Sequence, residues 1–312
     1  FSLSQRAVES AKQYGDGRPL DLIVWPETMF RTPIITFDAA YEPPSDAPRT
    51  PEEIASYGPT ALAALARRLD TPVLVGVDRI HQPANAADGT ARPPRRYNSA
   101  ALVDRSGKIV GIYDKVHRVV FGEFIPFSKW LPWLHALAPI AGQIDAGDGP
   151  AVLELDGRRY APNICYETAV PHVIRRHRTT AATDGRAPDM LVNVTNDAWY
   201  WGSSELDMHL ACGVFRAIET RTPLVIAANG GISAWIDQWG RIRAESPRQT
   251  LDVIIADVQK FPQRSLYMLY GDWFAGLCLI CCVMFALVGW QLQRRAKLTS
   301  ASSPTPTLDS DT

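Results

Sequence analysis

The chain has 312 residues, 46% of them hydrophobic, with 32 basic and 33 acidic side chains and a formal net charge of −1. That length supports one large domain or two small ones with a full core, and the near-zero charge argues against nucleic-acid binding, which needs a basic face. The five cysteines do not make a disulfide framework, because three of them (Cys278, Cys281, Cys282) lie in one apolar stretch.

In chain order, Ser4 to Tyr14 reads as an amphipathic helix with Ala7, Ala11 and Tyr14 on one side, and Leu20 to Trp25 as a short buried strand. Phe37 to Pro51 is a Pro/Asp-rich loop. Glu52 to Leu69 is helical, with Ile54, Leu62, Leu65 and Leu69 apolar, and Thr71 to Val77 is a strand. Gln82 to Arg96 is a polar loop. Tyr97 to Val103 and Lys108 to Tyr113 flank a turn at Asp104-Arg105-Ser106-Gly107, and Val152 to Leu155 and Arg158 to Asn163 flank Asp156-Gly157; both are hairpin signals. Val170 to Arg178 is a helix, Met190 to Thr195 a strand and Ser204 to Thr220 a helix. Leu224 to Asn229, Ser233 to Asp237 and Val253 to Val258 complete the strands, with a turn at Gln238-Trp239-Gly240. Helices interleaved with hairpins imply mixed sheets in one α/β domain over residues 1–272. No Gly-rich phosphate loop of usable pattern is present.

Trp273 to Gln293 carries no charge, has tryptophans near both ends, and is followed by Arg294, Arg295 and Lys297. About 20 apolar residues cross a bilayer, and the basic flank puts the C-terminus in the cytoplasm and residues 1–272 on the far side. A buried core helix is the competing reading. The spacing of Cys278 and Cys281 suits a metal, but apolar surroundings favour packing. Residues 294–312, rich in Ser, Thr, Pro and Asp toward the end, read as a disordered cytoplasmic tail. The chain opens on Phe1 without a signal peptide, so a domain facing away from the cytoplasm is expected to form the C-terminal part of a longer membrane protein.

Three strand-like runs end in reactive groups: Glu27 after Trp25-Pro26, Lys115 after Asp114, and Cys165 after Asn163-Ile164. A thiol needs a neighbouring base or cation to become an effective thiolate. A carboxylate can take its proton, and an ammonium can stabilise the oxyanion of a tetrahedral intermediate. Alone, each residue has an ordinary reading as a buried structural thiol, a solvated edge lysine or a turn glutamate. Together they suit acyl transfer through a thioester. His117 offers a Cys-His dyad instead, and His209 reads as packing or a helix cap. Cys165 and Cys212 could pair only if their β-carbons meet.

Trp25-Pro26-Glu27, Asp114-Lys115 through Phe121-Gly122-Glu123, and Asn163-Ile164-Cys165-Tyr166-Glu167 resemble the three catalytic blocks of the nitrilase superfamily of carbon–nitrogen hydrolases. Asn196-Asp197-Ala198-Trp199-Tyr200, His209-Leu210, Arg216-Ala217-Ile218-Glu219, Asn229-Gly230-Gly231-Ile232-Ser233 and the apolar C-terminal segment are similar to the apolipoprotein N-acyltransferase branch, enzymes of the bacterial inner membrane. The resemblance implies an α-β-β-α sandwich whose first strand would precede this chain, followed by one transmembrane helix. It implies Glu27 as general base, Lys115 as oxyanion stabiliser and Cys165 as nucleophile. It further implies Glu123 holding Lys115, Tyr166 and Glu167 shaping an acyl pocket, and no metal or organic cofactor. Ile226 departs from the pattern, which would place an arginine there. Phe30, Phe121, Phe124, Ile125, Trp130, Leu131 and Trp133 are the candidates for lipid contact.

The expected activity is transfer of a fatty acyl group from a phospholipid to the N-terminal amine of a diacylglyceryl-cysteine lipoprotein, on the periplasmic face of the inner membrane. Two alternatives stay open: a membrane-anchored amidase or nitrilase resolved by water, and a non-catalytic membrane protein on the same fold.

Overall fold

Trp25-Pro26-Glu27 interrupts the first strand instead of ending it. The computed structural model describes residues 2–14, 18–128, 130, 131, 133, 134, 143–181, 186–259 and 265–301, and in it β1 runs Ile23–Phe37. It lies parallel to β2, Val73–Gln82. The register runs evenly to Trp25↔Val75 and resumes at Phe30↔Val77, so residues 26–29 stand opposite Gly76 alone. Pro26 has no N–H to give the ladder, which favours a bulge here. Thr28 takes a left-handed φ of 52°. A Cβ on Gly76 would lie 2.5 Å from both the Glu27 Cα and the Pro26 carbonyl oxygen, so only glycine lets the bulge sit this close.

β3 (Arg95–Val103) and β4 (Ile109–Asp114) add antiparallel strands and complete a sheet of order β1-β2-β3-β4. Asp104 closes the hairpin: its side chain accepts the Lys108 N–H at 2.9 Å. β5 (Leu153–Leu155) and β6 (Arg158–Ile164) pair across Asp156-Gly157. Both turn residues have positive φ, 51° and 72°, as a two-residue I′ turn requires. β7 (Met190–Asn196) and β8 (Leu224–Asn229) follow in parallel, then β9 (Ala234–Ile236) and β10 (Ile242–Glu245) antiparallel, giving the order β10-β9-β8-β7-β6-β5.

The helices α1 (Ser2–Tyr14), α2 (Pro51–Leu69), α3 (Pro171–Ala181) and α4 (Glu205–Thr220) cover the outer faces. Leu62, Leu65, Ala66 and Leu69 of α2 pack on Val73, Val75 and Val77. Leu74, Leu102 and Tyr113 of one sheet meet Ile164, Val192 and Val194 of the other. Ile174 and Ala217 pack on Leu191, Leu224, Ile226 and Ile236. The layers are therefore helix, sheet, sheet, helix, as expected. α2 starts on a capping box in which Thr50 and Glu53 exchange backbone N–H bonds at 3.2 and 3.1 Å, with Pro51 at the first helical position.

One expected strand is absent. Val253 to Val258 forms no strand; its Ala256 and Val258 pack on the inter-sheet core without a ladder. The edge of the second sheet is instead β10, which the Asp237–Gly240 turn folds back onto β9.

Residues 266–301 form a second unit. It contains α5 (Leu266–Tyr270) and α6 (Trp273–Ala301). Trp273–Arg295 is 23 residues long and contains an 18-residue stretch of mean hydropathy 2.2, long and apolar enough to cross a membrane. α6 continues through Arg294, Arg295 and Lys297, where a disordered tail was expected. Good helix formers occupy this stretch and no breaker occurs before Pro304. Residues 302–312 of that tail lie outside the described residues.

The Gly76 contact yields a prediction. Gly76→Ala should lower stability by about 1–3 kcal/mol, the usual cost of overpacking, because the atoms it meets are backbone. Denaturant unfolding of the two proteins checks this, and an unchanged midpoint would mean that the bulge has room to move.

Candidate active site

The bulge in β1 turns Glu27 inward, where it is 6% exposed. Oε1 accepts from the Asn98 side-chain amide at 2.5 Å and Oε2 from the Asn196 N–H at 2.7 Å. Burial raises its pKa; the Lys115 charge and these two hydrogen bonds oppose the rise without cancelling it.

Lys115 follows β4 and is 1% exposed. Its N–H donates to the Asn98 carbonyl at 2.8 Å and its carbonyl accepts from Gly147 at 2.9 Å, so Asn98 positions both the carboxylate and the lysine. Nζ lies 2.7 Å from Glu123 Oε1 and 3.8 Å from Glu27 Oε1. Burial works against the ammonium, but Cys165, Glu27 and Glu123 outweigh it and hold the pKa above the ordinary lysine value. Glu123 is itself fixed by the Val119 N–H, 2.8 Å from Oε2.

Cys165 follows β6 and has φ 53°, a strained conformation for a non-glycine residue, at the start of a short 3₁₀ turn, Cys165–Ala169. The Asn193 side chain donates to the Cys165 carbonyl at 3.2 Å and to Asn163 Oδ1 at 2.8 Å. The thiol is pushed up to about 12 by burial first and then by the Glu27 charge, with Lys115 and the Thr195 hydroxyl pulling the other way. A protonated thiol beside a carboxylate of raised proton affinity and a fixed ammonium is equipped for proton transfer at the moment of attack.

Glu167 binds these segments together. Its carboxylate accepts from the N–H groups of Val116, His117 and Ile164, each at 2.8 Å, and from the Tyr113 hydroxyl at 2.9 Å. Every donor that surrounds it belongs to the backbone on either side of the lysine and cysteine or to β4. It is fully buried and does not line the cavity, unlike the half-exposed Tyr166.

The cavity measures about 320 Å³. Cys165, Tyr166 and Ala169 form one side; Asp197 and Tyr200 continue the wall; Glu205, Met208, His209 and Cys212 project from α4. Cys165 and Cys212 are both free thiols. His209 Nδ1 lies 3.1 Å from Asp197 Oδ1, which also accepts the Thr195 hydroxyl at 2.7 Å. Among the described residues no three His, Cys, Asp or Glu side chains come together as a metal site. His117 stands near Tyr166, with ring centroids 6.2 Å apart.

The expected lipid-contact residues divide. Phe121, Trp130, Leu131 and Trp133 are exposed, as are the unanticipated Phe127, Trp199 and Trp201. Ile125 is buried, Phe124 lies half-buried under the Arg118 guanidinium, and Phe30 lies half-buried beside Trp25. Ile226 belongs to the core of the second sheet and makes no part of the cavity wall. Asn98 and Gly76 escaped the sequence reading. Asn98 had one visible signal, a polar residue opening the apolar run of β3.

The carbon–nitrogen hydrolase family model matches residues 1–261. Apolipoprotein N-acyltransferase of Rhodopirellula baltica is 30% identical over 305 residues, covering 89% of this chain and 52% of the relative. The protein of that name from Geobacter metallireducens is 35% identical over 261 residues, covering 84% of this chain and 44% of the relative. The chain thus spans about half the length of the curated relatives it matches. A solved amidase from Nesterenkonia sp. has a TM-score of 0.48 and 19% identity, covering 78% of each chain.

The His209–Asp197 contact gives the site a pH signature. Burial disfavours the imidazolium, but the hydrogen bond and charge of Asp197 outweigh it and raise the His209 pKa. The stabilisation is therefore complete below the ordinary histidine value of about 6.5 and is lost as pH rises through the raised value. The stability difference between wild type and His209→Gln should be larger near pH 6 than near pH 9. Denaturant titrations across that range test it; a difference that grows with pH would contradict the pairing.

Proposed function

The chain belongs to the carbon–nitrogen hydrolase family, and we propose that within it this protein is an N-acyltransferase, moving a fatty acyl group from a phospholipid to the N-terminal amine of a diacylglyceryl-cysteine lipoprotein. The observation that carries the reading is the meeting of Glu27, Lys115 and Cys165 in one buried cluster, with the thiol at the wall of a cavity. The names of the relatives and the apolar span of α6 support a transferase with membrane substrates over a hydrolase of small amides.

In this scheme Cys165 Sγ attacks the phospholipid ester carbonyl while Glu27 takes the thiol proton. Lys115, with the Tyr166 N–H, stabilises the oxyanion. The intermediate collapses to a Cys165 thioester, and the lysophospholipid leaves with the proton from Glu27. The incoming neutral amine then attacks the thioester, Glu27 takes its proton and returns it to the departing sulfur. Two displacements share one site, which is ping-pong catalysis. Glu123 fixes the ammonium, Tyr166 lines the acyl site and Glu167 positions the segments around the nucleophile. Residues 1–272 form the catalytic domain and 273–293 the membrane anchor. The basic cluster after the span supports a cytoplasmic C-terminus and a catalytic domain on the periplasmic side of the inner membrane.

Full-length protein given phospholipid should acylate a diacylated lipopeptide with a free N-terminal cysteine much faster than it releases fatty acid. Blocking that amine should abolish transfer. Fatty acid release without lipopeptide product, or turnover of small amides, would move the assignment to a hydrolase.

A further inference from the structure

α4 carries three acidic side chains, and two of them are paired. Asp207 bonds to Arg248, and Glu219 lies 3.0 Å from Arg216. Glu205 has no ion-pair or side-chain hydrogen-bond partner among the described residues. It is half-buried, and it lines the same cavity as Cys165. The other acids near that cavity each have a cationic group close by: Asp197 lies 3.1 Å from His209, and Glu123 and Glu27 share Lys115 at 2.7 and 3.8 Å, which leaves the surroundings of the nucleophile net negative. An acidic residue in the first turn of a helix needs no ligand to explain it, since the helix dipole favours it there. A solvent-facing side chain would serve that purpose equally well. Glu205 instead places a carboxylate without a direct ion pair at the wall of the chamber that holds the nucleophile, where the only cation it is seen to influence is His209, already bonded to Asp197.

We propose that Glu205 is the binding group for the ammonium of the acyl acceptor, drawing a cationic primary amine to the wall of the cavity, where it gives one proton to solvent and then attacks the Cys165 thioester as the neutral amine. This rests on the transferase reading above. An α-amino group has an ordinary pKa of about 7.7–8.0, so most of the acceptor arrives charged near pH 7. Neither water nor an alcohol carries that charge, so the carboxylate would favour amines as acceptors. Partial burial keeps the attraction stronger than at an open surface, while the cavity mouth leaves it sensitive to salt.

The test is steady-state transfer from phospholipid to the diacylated lipopeptide by the full-length protein in zwitterionic detergent micelles. Glu205→Gln should raise the acceptor KM about tenfold with little change in kcat, and Glu205→Asp should recover part of the loss. Raising salt from about 50 to 500 mM should raise the wild-type acceptor KM and leave that of Glu205→Gln flat, because only the wild type has the charge to screen. A helix-capping role alone would not produce this salt difference. An unchanged acceptor KM in Glu205→Gln, or equal salt dependence in both proteins, overturns the proposal and leaves the transferase reading intact. Wild-type protein that acylates no amine at all overturns both.

Discussion

A lysine ammonium buried to 1% exposure is the constraint around which this site is built. Moving such a charge out of water costs several kcal/mol even after relaxation, and only close partners offset it. Lys115 has two, Glu123 at 2.7 Å and Glu27 at 3.8 Å. Burial raises the proton affinity of Glu27 and of the Cys165 thiol, and the neighbouring carboxylate charge adds to it, while Lys115 opposes the rise without cancelling it. The lysine thus stays charged while burial leaves the carboxylate able to take a proton.

Holding this cluster requires both sheets. Glu27 comes from a bulge in β1 that depends on Pro26 and on the missing side chain of Gly76. Its two oxygens are held by Asn98 of β3 and by the backbone of Asn196 at the end of β7, one contact from each sheet. Glu167 makes the second cross-link: its single carboxylate joins the backbone after β4 to the end of β6. A buried carboxylate with four donors is costly to break, since losing it would orphan three backbone N–H groups. Glu167 therefore acts on geometry, and the cavity wall is left to Tyr166 and α4.

Much of this was legible from local signals. The Asp104–Gly107 and Asp156-Gly157 turns marked their hairpins, and the apolar face of residues 52–69 marked α2. Glu27, Lys115 and Cys165 were recognisable because each follows a strand-like run. What sequence hid was tertiary. Pro26 looks like a stop, yet β1 resumes beyond it because β2 offers a glycine at the right register. Residues 253–258 have strand composition but pack without a ladder, while the more polar Ile242–Glu245 takes the edge because a turn returns it to β9. Glu167 sits in the motif, but three of its four donors, on Tyr113, Val116 and His117, lie 50 to 54 residues away. Glu205 drew no notice in the sequence, where it is one of two acids in the first turn of α4; only the fold places it in the same cavity wall as Cys165.

In the proposed mechanism this buried cluster makes Cys165 a covalent acyl carrier. Intact-peptide mass spectrometry after brief incubation of the full-length protein with a phospholipid of defined chain length tests it most directly. One acyl mass should appear on the peptide containing Cys165, removable by hydroxylamine and absent in Cys165→Ala. Turnover in Cys165→Ala close to the wild-type rate, or an acyl mass on Cys212 instead, would contradict it.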